Sequence, residues 1–515
     1  MAQLQQALQY EPVKLAFGTS GLRGLAKDMT DLECYINARG FLNFLIEVEG
    51  LAAGSTVYMG GDLRESTPRI LRAVQQAISD AGFTAVYAGL LPTPALAFYA
   101  QQKHAACIMV TGSHIPADRN GIKFYKQAGE VLKDDEPNIN EAVTAVREQL
   151  YVQDEAESAF DTQGMLKSPP TVVQEVAEAK EWYTQRYTSI FGGLLNGLHL
   201  VFYQHSAVGR DLLPEILEGL GATVTCVDRS DIFVPIDTEN VTVADQAHFR
   251  KIAAEHPDCF AIVSTDGDSD RPFVIDATGT FHRGDVLGAV TAAWLNADFA
   301  AYPVSASDAT DTFLRSKNIP HEHTKIGSPF VILAMQNELE GGKTRVVGWE
   351  VNGGVLLGSD FAIGSGTLEK LPTRDALLPI IAALAAAKQG DMSVAEVFAS
   401  LPQRATQAGL INDFPVAVSA AIKQQFADDT PKNRQELSRF FTAEKGFGAI
   451  TKINSLDGIR MYFDSGDIAH IRPSSNAPQL RIYSVADTQE RADEIVAMAI
   501  AEPDGIFRQI EQHLS

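Results

Sequence analysis

Cysteine is scarce in this chain: four in 515 residues, at Cys34, Cys107, Cys226 and Cys259. None forms a C-x-x-C pair, and two lie in apolar, strand-like runs, which excludes a zinc ribbon or a disulfide framework and predicts reduced core thiols. Positive charge is also short, with Lys+Arg 42 against Asp+Glu 65 and a net charge of -23. That balance disfavours a nucleic-acid partner or an anionic membrane surface, while leaving room for a few arginines focused in a cleft. No run is apolar for the roughly 18 residues a membrane span needs, the longest candidate, Leu377 to Ala387, being too short. The first residues, Met1-Ala2-Gln3-Leu4-Gln5-Gln6, lack the basic and apolar regions of a signal peptide. A soluble, cytoplasmic protein is expected. Neither G-x-G-x-x-G nor G-x-x-x-x-G-K-[ST] occurs in the glycine-rich stretch Phe17 to Gly24, so no dinucleotide or P-loop site follows from it.

What is present is a long, well-mixed globular composition. Hydrophobic residues make up 45% and charged residues 21%, enough to bury large cores over several domains and too apolar for global disorder. Apolar patterning predicts alternating helix and strand. Thr30-Asp31-Leu32-Glu33 has the spacing of a capping box and opens a helix to about Val48. Strand Thr56–Met59, helix Pro68–Gly82, strand Thr84–Ala88, helix Pro94–Lys103 and strand Ala106–Val110 follow. A second round runs through strands Leu198–Tyr203, Thr223–Val227 and Phe260–Val263, with helices Asp211–Leu220 and Ala247–Glu255. A third uses strands Val304–Ala306, His323–Ile326 and Arg345–Val347, with helices Asp311–Ser316 and Phe330–Glu338. Each round ends in a polar, glycine-bearing loop after an apolar strand. The last part differs: Ile459–Phe463, Ala469–Arg472 and Gln479–Val485 are close-spaced strands fit for an antiparallel sheet, followed by a helix from Gln489 to about Ala499. The expected fold class is α/β: three related α/β domains with mixed sheets (1–160, 161–282, 283–404) and a C-terminal α+β domain with an antiparallel sheet (405–515), around a central cleft.

The loops carry chemistry. Ser113, in Thr111-Gly112-Ser113-His114, sits where a buried strand ends, the place where open α/β sheets bind ligands. With His114 and Lys123 near in sequence, its hydroxyl is a candidate covalent phosphoryl carrier, whereas most serines there merely cap a turn. Asp266-x-Asp268-x-Asp270 puts three carboxylates on a tight turn beside Arg271. Their mutual repulsion favours a hard cation such as Mg²⁺, and Arg271 and Ala277 at the sixth and twelfth positions exclude an EF-hand. Glu350 and Asn352, in Gly348-Trp349-Glu350-Val351-Asn352-Gly353-Gly354, can bind vicinal hydroxyls. Arg472-Pro473-Ser474-Ser475-Asn476, running on to Arg481, has the makings of a phosphate cradle. Phe17 to Gly24 adds Arg23 on a glycine-rich loop.

Together these five segments resemble the α-D-phosphohexomutase family, with the motifs in the family's order and over essentially the whole chain. The resemblance implies four domains around one cleft, a phosphoryl group carried by Ser113, and Mg²⁺ bound by Ser113, Asp266, Asp268 and Asp270. It implies that Glu350 and Asn352 face the sugar and that Arg472, Ser474, Ser475 and Asn476 hold its phosphate. Arg23, His114, Lys123, Arg271 and Lys325 match positions around the transferring group. Ile115, the Glu-Val-Asn-Gly-Gly loop and Ser475-Asn476 depart from the common pattern and look like a bacterial phosphomannomutase branch. The implied reaction is reversible phosphoryl transfer between C6 and C1 of a hexose phosphate, mannose 6-phosphate to mannose 1-phosphate, through a hexose 1,6-bisphosphate. A glucose-specific or dual mutase is the alternative, and either Lys123 or His114 could take the proton. A D-x-D glycosyl- or nucleotidyltransferase would explain the aspartates but leave Ser113 and the Arg472 loop unused. A non-catalytic phosphosugar binder would not need three carboxylates beside a serine. The oligomeric state stays open.

Overall fold

The computed structural model describes residues 2–18, 21–473 and 478–515. The backbone divides into two compact units, Met1–Ala300 with Gly327–Phe398, and Ala301–Ile326 with Ala399–Ser515. The fold is mixed α/β, with several mixed sheets and a C-terminal antiparallel sheet.

In the first unit, β1 (Ala16–Phe17), β2 (Leu22–Leu25), β3 (Thr56–Gly61), β4 (Thr84–Leu90), β5 (Ala106–Val110), β6 (Arg119–Lys126) and β7 (Gly129–Glu130) form one sheet. Its order is β1-β2-β6-β5-β3-β4, with β7 on β6. β3 runs parallel to β4 and β5, while β6 returns antiparallel to β5. All five residues of β5 are buried, as its unbroken apolar run requires of a strand covered on both faces. The helix Asp31–Glu47 packs beside this sheet. Its N-cap Thr30 accepts from the Glu33 amide at 3.3 Å, but the reciprocal half of the expected capping box is missing. Glu33 instead reaches across to Arg147 of helix Glu136–Tyr151, a buried ion pair with Nη2–Oε2 at 2.9 Å.

The second sheet contains β8 (His199–His205), β9 (Thr223–Arg229), β10 (Ala261–Thr265), β11 (Pro272–Asp276) and β12 (Phe281–His282) in the order β12-β11-β10-β8-β9. β10 is parallel to β8, and β11 turns back antiparallel to β10. The chain next forms β13 (Phe299–Pro303), helix Asp308–Ser316 and β14 (His321–Thr324). Here the expected strand at Val304–Ala306 is a turn closed by Ala306 N to Pro303 O; the strand is the apolar run just before it. The strand expected at His323–Ile326 starts and ends two residues earlier. Back in the first unit, β15 (Val346–Trp349), β16 (Val355–Leu357) and β19 (Leu371–Asp375) pair antiparallel, with β17 (Phe361–Ile363) and β18 (Gly366–Leu368) as a separate hairpin.

The three rounds share a device that apolar patterning did not show. An inner strand runs into a loop, and an antiparallel strand carries the chain straight back: β5 to β6, β10 to β11, β15 to β16. Each loop is pinned at both ends by a strand pair rather than followed by a helix.

In the second unit, β20 (Ala405–Ile411), β21 (Ile450–Asn454), β22 (Ile459–Phe463), β23 (Ile468–Pro473) and β24 (Leu480–Ala486) form an antiparallel sheet in the order β20-β24-β23-β22-β21. Ala469, Ile471, Leu480 and Ile482 share its core with Ile495 and Ala499 of helix Gln489–Ile500. Among the described residues, no helix is long and apolar enough to cross a membrane.

Candidate active site

Ser113 is 1% exposed and has φ 56°, a left-handed conformation uncommon for a side-chain-bearing residue. Holding it there takes a dedicated brace. Its amide donates to Thr111 Oγ1 at 2.8 Å, and Thr111 donates to Asp62 Oδ2 at 2.8 Å. Arg64, 1% exposed, donates to the carbonyls of Ser113 (2.9 Å), Ile115 (2.6 Å), Pro116 (2.7 Å) and Arg119 (2.8 Å), and its Nε lies 3.2 Å from Asp62. A Cβ on Gly112 would stand 2.7 Å from that guanidinium, so only glycine lets the loop close onto it. The Asp62–Arg64 pair was not singled out from sequence. The signal was present, since strand Thr56–Met59 also runs into a polar Gly-Gly-Asp segment.

The serine hydroxyl donates to Asp266 Oδ2 at 2.6 Å and lies 3.2 Å from His114 Nδ1. The acidic triplet is thus brought directly onto Ser113. It occupies the β10–β11 turn, closed by Asp266 N to Arg271 O at 3.0 Å, with Ser269 at φ 58°. Asp266 Oδ1 caps the turn by accepting from the amides of Asp270 and Arg271, both at 3.2 Å. Thr93 donates to Asp268 at 2.5 Å. Lys123, delivered on β6 opposite Met109 of β5, contacts Asp268 and Asp270, both at 2.6 Å. Arg374 of β19 donates to Asp270 at 2.9 and 3.0 Å and also to Glu350. Glu350 is 5% exposed and Asn352 2%, on a loop closed by Gly353 N to Glu350 O at 2.9 Å. Arg374 and Thr93, both unremarked in the sequence, therefore tie the acidic loop to its neighbours.

Electrostatics follow from this crowding. Burial raises the Asp266 carboxyl well above the usual carboxylate range, and Asp268 and Asp270 push it further. Burial acts the same way on Asp270, but Arg374, Lys123 and Arg271 outweigh it and hold that carboxyl low. Burial works against the Lys123 charge, yet Asp268 and Asp270 overcome it and keep the ammonium protonated. Burial, then the cations Arg271 and Arg23, lower the His114 pKa and keep its ring neutral. Arg23 lies in the field of Arg271, Arg374, Asp268 and Asp270.

The residues fit a metal ion. One oxygen from each of Asp266, Asp268 and Asp270 lies within 4.8 Å of the others. Asp268 Oδ1 and Asp270 Oδ1 are buried without a hydrogen-bond partner, an expensive state for anionic oxygens and one that a divalent cation relieves.

The second unit holds the remaining candidates. Arg472 on β23 stands opposite Arg481 on β24 in the register, a like-charged pair that costs stability unless anions meet it. Asp457 supplies one, at 3.2 Å from Arg472 Nε. Asp457 also accepts from the Ile326 amide at 3.0 Å, which brings the exposed Lys325 segment beside Arg472. Ser474, Ser475 and Asn476 lie outside the described residues.

The family described as "Phosphoglucomutase/phosphomannomutase, alpha/beta/alpha domain I" matches residues 14–150, and its domain III counterpart matches residues 283–405. A phosphomannomutase of Sinorhizobium fredii is 40% identical over 94% of this chain and 98% of its own. One of Salmonella muenchen is 38% identical over 94% and 95% respectively. The crystal structure of a phosphoglucomutase/phosphomannomutase family protein from Burkholderia thailandensis has the same fold, with TM-score 0.70 at 18% identity, covering 100% of this chain and 98% of that one. The protein is therefore an isomerase of the phosphohexomutase class, catalysing phosphoryl transfer. It belongs to the phosphoglucomutase/phosphomannomutase family. The comparisons favour this activity over a D-x-D transferase.

Proposed function

We propose that the substrate pair is mannose 6-phosphate and mannose 1-phosphate, with Ser113 as the phosphoryl carrier and a hexose 1,6-bisphosphate as the intermediate. The carrying observation is the 2.6 Å contact between Ser113 Oγ and Asp266, inside a buried three-carboxylate turn. The names of the 40% and 38% identical relatives support mannose.

In this reading phosphorylated Ser113 gives its phosphoryl group to the free C1 or C6 hydroxyl, the hydroxyl's proton passing by way of Lys123 or His114 to the Ser113 oxygen that leaves, and the resulting bisphosphate turns end for end. The other phosphate then returns to Ser113, so no phosphate is gained or lost. In-line transfer demands fixed positions, which the Arg64 brace supplies to the serine loop. Asp266, Asp268 and Asp270, with the phosphorylated serine, hold Mg²⁺, which when bound neutralises charge on the phosphoryl oxygens. Lys123 and Arg23 add positive charge around the same group. His114 orients the serine hydroxyl, and Arg271 contacts a phosphate or sugar oxygen. Glu350 and Asn352 bind sugar hydroxyls, Lys325 contacts the substrate, and Arg472, Ser474, Ser475, Asn476 and Arg481 serve the phosphate that is not reacting. The four-domain division at about residues 160, 282 and 404 is part of this proposal. So is a cytoplasmic location, which suits the four free cysteines.

Assays on mannose 6-phosphate and glucose 6-phosphate side by side test the substrate. A kcat/KM favouring mannose supports the assignment, and one favouring glucose overturns it in favour of a phosphoglucomutase.

A further inference from the structure

The segment from Ser230 to Asn240 was assigned no role from sequence, yet it touches all three loops of the first unit's site. Phe233 lies over the Arg64 guanidinium, 3.9 Å from ring centroid to Cζ, and so covers the brace of the serine loop. Asp237 stands 3.4 Å from Arg271 Nη1, beside the acidic turn. Thr238, 3% exposed, donates to the Asn352 carbonyl at 2.9 Å and so grips the loop of Glu350 and Asn352. The segment is itself shaped by Asp237, whose Oδ1 accepts from the Glu239 amide at 3.0 Å.

Glu239 differs from its neighbours. Its side chain is 41% exposed against 10% for that of Arg271, and Asn352 beside it is buried. Glu239 Oε1 lies 3.7 Å from Arg271 Nη1 and accepts a long hydrogen bond, 3.5 Å, from Asn352 Nδ2. Its second oxygen has no protein partner among the described residues. An ionised carboxylate offers about four acceptor positions, and here most are open, next to Asn352.

We infer that Glu239 is a further substrate-binding residue, accepting hydrogen bonds from hydroxyls of the sugar ring. The inference rests on the phosphosugar reading of this site and deepens it. An open carboxylate beside a buried carboxamide suits sugar recognition, because paired hydroxyls donate to one carboxylate while the amide supplies the complementary donor and acceptor. Asp237 already stands against Arg271 as a counterion, so Glu239 is not needed for charge balance alone. Its charge-assisted bonds to hydroxyls are of the stronger kind.

The test uses the full-length enzyme with Glu239→Ala and Glu239→Gln, assayed on mannose 6-phosphate and on 2-, 3- and 4-deoxyhexose 6-phosphates. Glu239→Ala is expected to lower kcat/KM about 10- to 100-fold on mannose 6-phosphate, mainly through KM. On an analogue lacking one of the partner hydroxyls it should cost clearly less than on mannose 6-phosphate. Glu239→Gln should recover part of the loss. An unchanged kcat/KM, or equal losses on all deoxy analogues, overturns the inference. Wild-type enzyme inactive on every hexose 6-phosphate would instead strike the substrate reading. Calorimetric titration of mannose 6-phosphate into Ser113→Ala, with and without Glu239→Ala, then still tests Glu239: weaker binding supports it and an unchanged Kd overturns it.

Discussion

The serine loop of the first unit is braced by many buried bonds, whereas the Arg472 side chain on β23 of the second rests on one carboxylate, that of Asp457. Ser113 is 1% exposed, its backbone left-handed, and one buried arginine satisfies four carbonyls around it. The Arg472 side chain is 24% exposed and rests on Asp457. The difference matches the work proposed for each. Transfer in line fails when atoms move by an ångström. Holding a phosphate that alternates between two ends of a sugar asks for charge and some freedom.

Substitutions can break this contrast. The largest effect is expected from Ser113→Ala, which should remove nearly all turnover, at least about 10³-fold, with circular dichroism and thermal melting unchanged. Residual activity near wild type would show that the braced loop is not the reacting one. Arg64→Lys keeps a charge but forfeits most of the four carbonyl bonds. It should lower kcat about 10- to 100-fold with little change in KM, because a loosened loop misplaces the serine without touching substrate. A pure KM effect would contradict a positioning role. Arg472→Ala should do the reverse, raising KM about tenfold with kcat nearly kept, and a kcat loss would erase the distinction. The smallest effect concerns stability at the far end of the acidic hairpin. Asp276 on β11 is nearly buried, and burial alone would raise its pKa. Its bonds with His282 and Thr278 prevail and hold it at about 2. A depressed carboxylate contributes stability above its unfolded pKa and loses it as pH falls through about 2. Asp276→Asn should therefore lower the melting temperature at pH 7 and lessen the stability lost on acidification. Equal acid sensitivity in both proteins would contradict the assignment.

Much of this was legible in sequence because the chemistry is local. Ser113 lies next to the strand that delivers it, and Asp266, Asp268 and Asp270 are spaced within one turn. Strands Ala106–Val110 and Ile459–Phe463 fall where apolar patterning put them. The return strand β6 is masked by its polar residues, since Lys123 reads as a loop residue until Met109 is paired opposite it, whereas β11 and β16 are short apolar runs directly after a chemistry-bearing loop. Arg64, Arg374, Thr93 and Glu239 were missed for another reason. Each acts on residues tens to more than a hundred positions away: Arg64 is 49 residues from Ser113, Arg374 is 104 from Asp270, Thr93 is 175 from Asp268 and Glu239 is 113 from Asn352. A lone arginine at a strand end carries no local mark of such a partner. The third round's first strand was displaced because Val304 to Ala306 continues the apolar character of the true strand before it.

Phosphate on Ser113 is the most direct test of the central claim. Mass spectrometry of enzyme quenched during turnover with hexose phosphate should find phosphoserine at position 113 appearing and disappearing at rates no slower than kcat. Full turnover with that serine unmodified throughout would contradict the account.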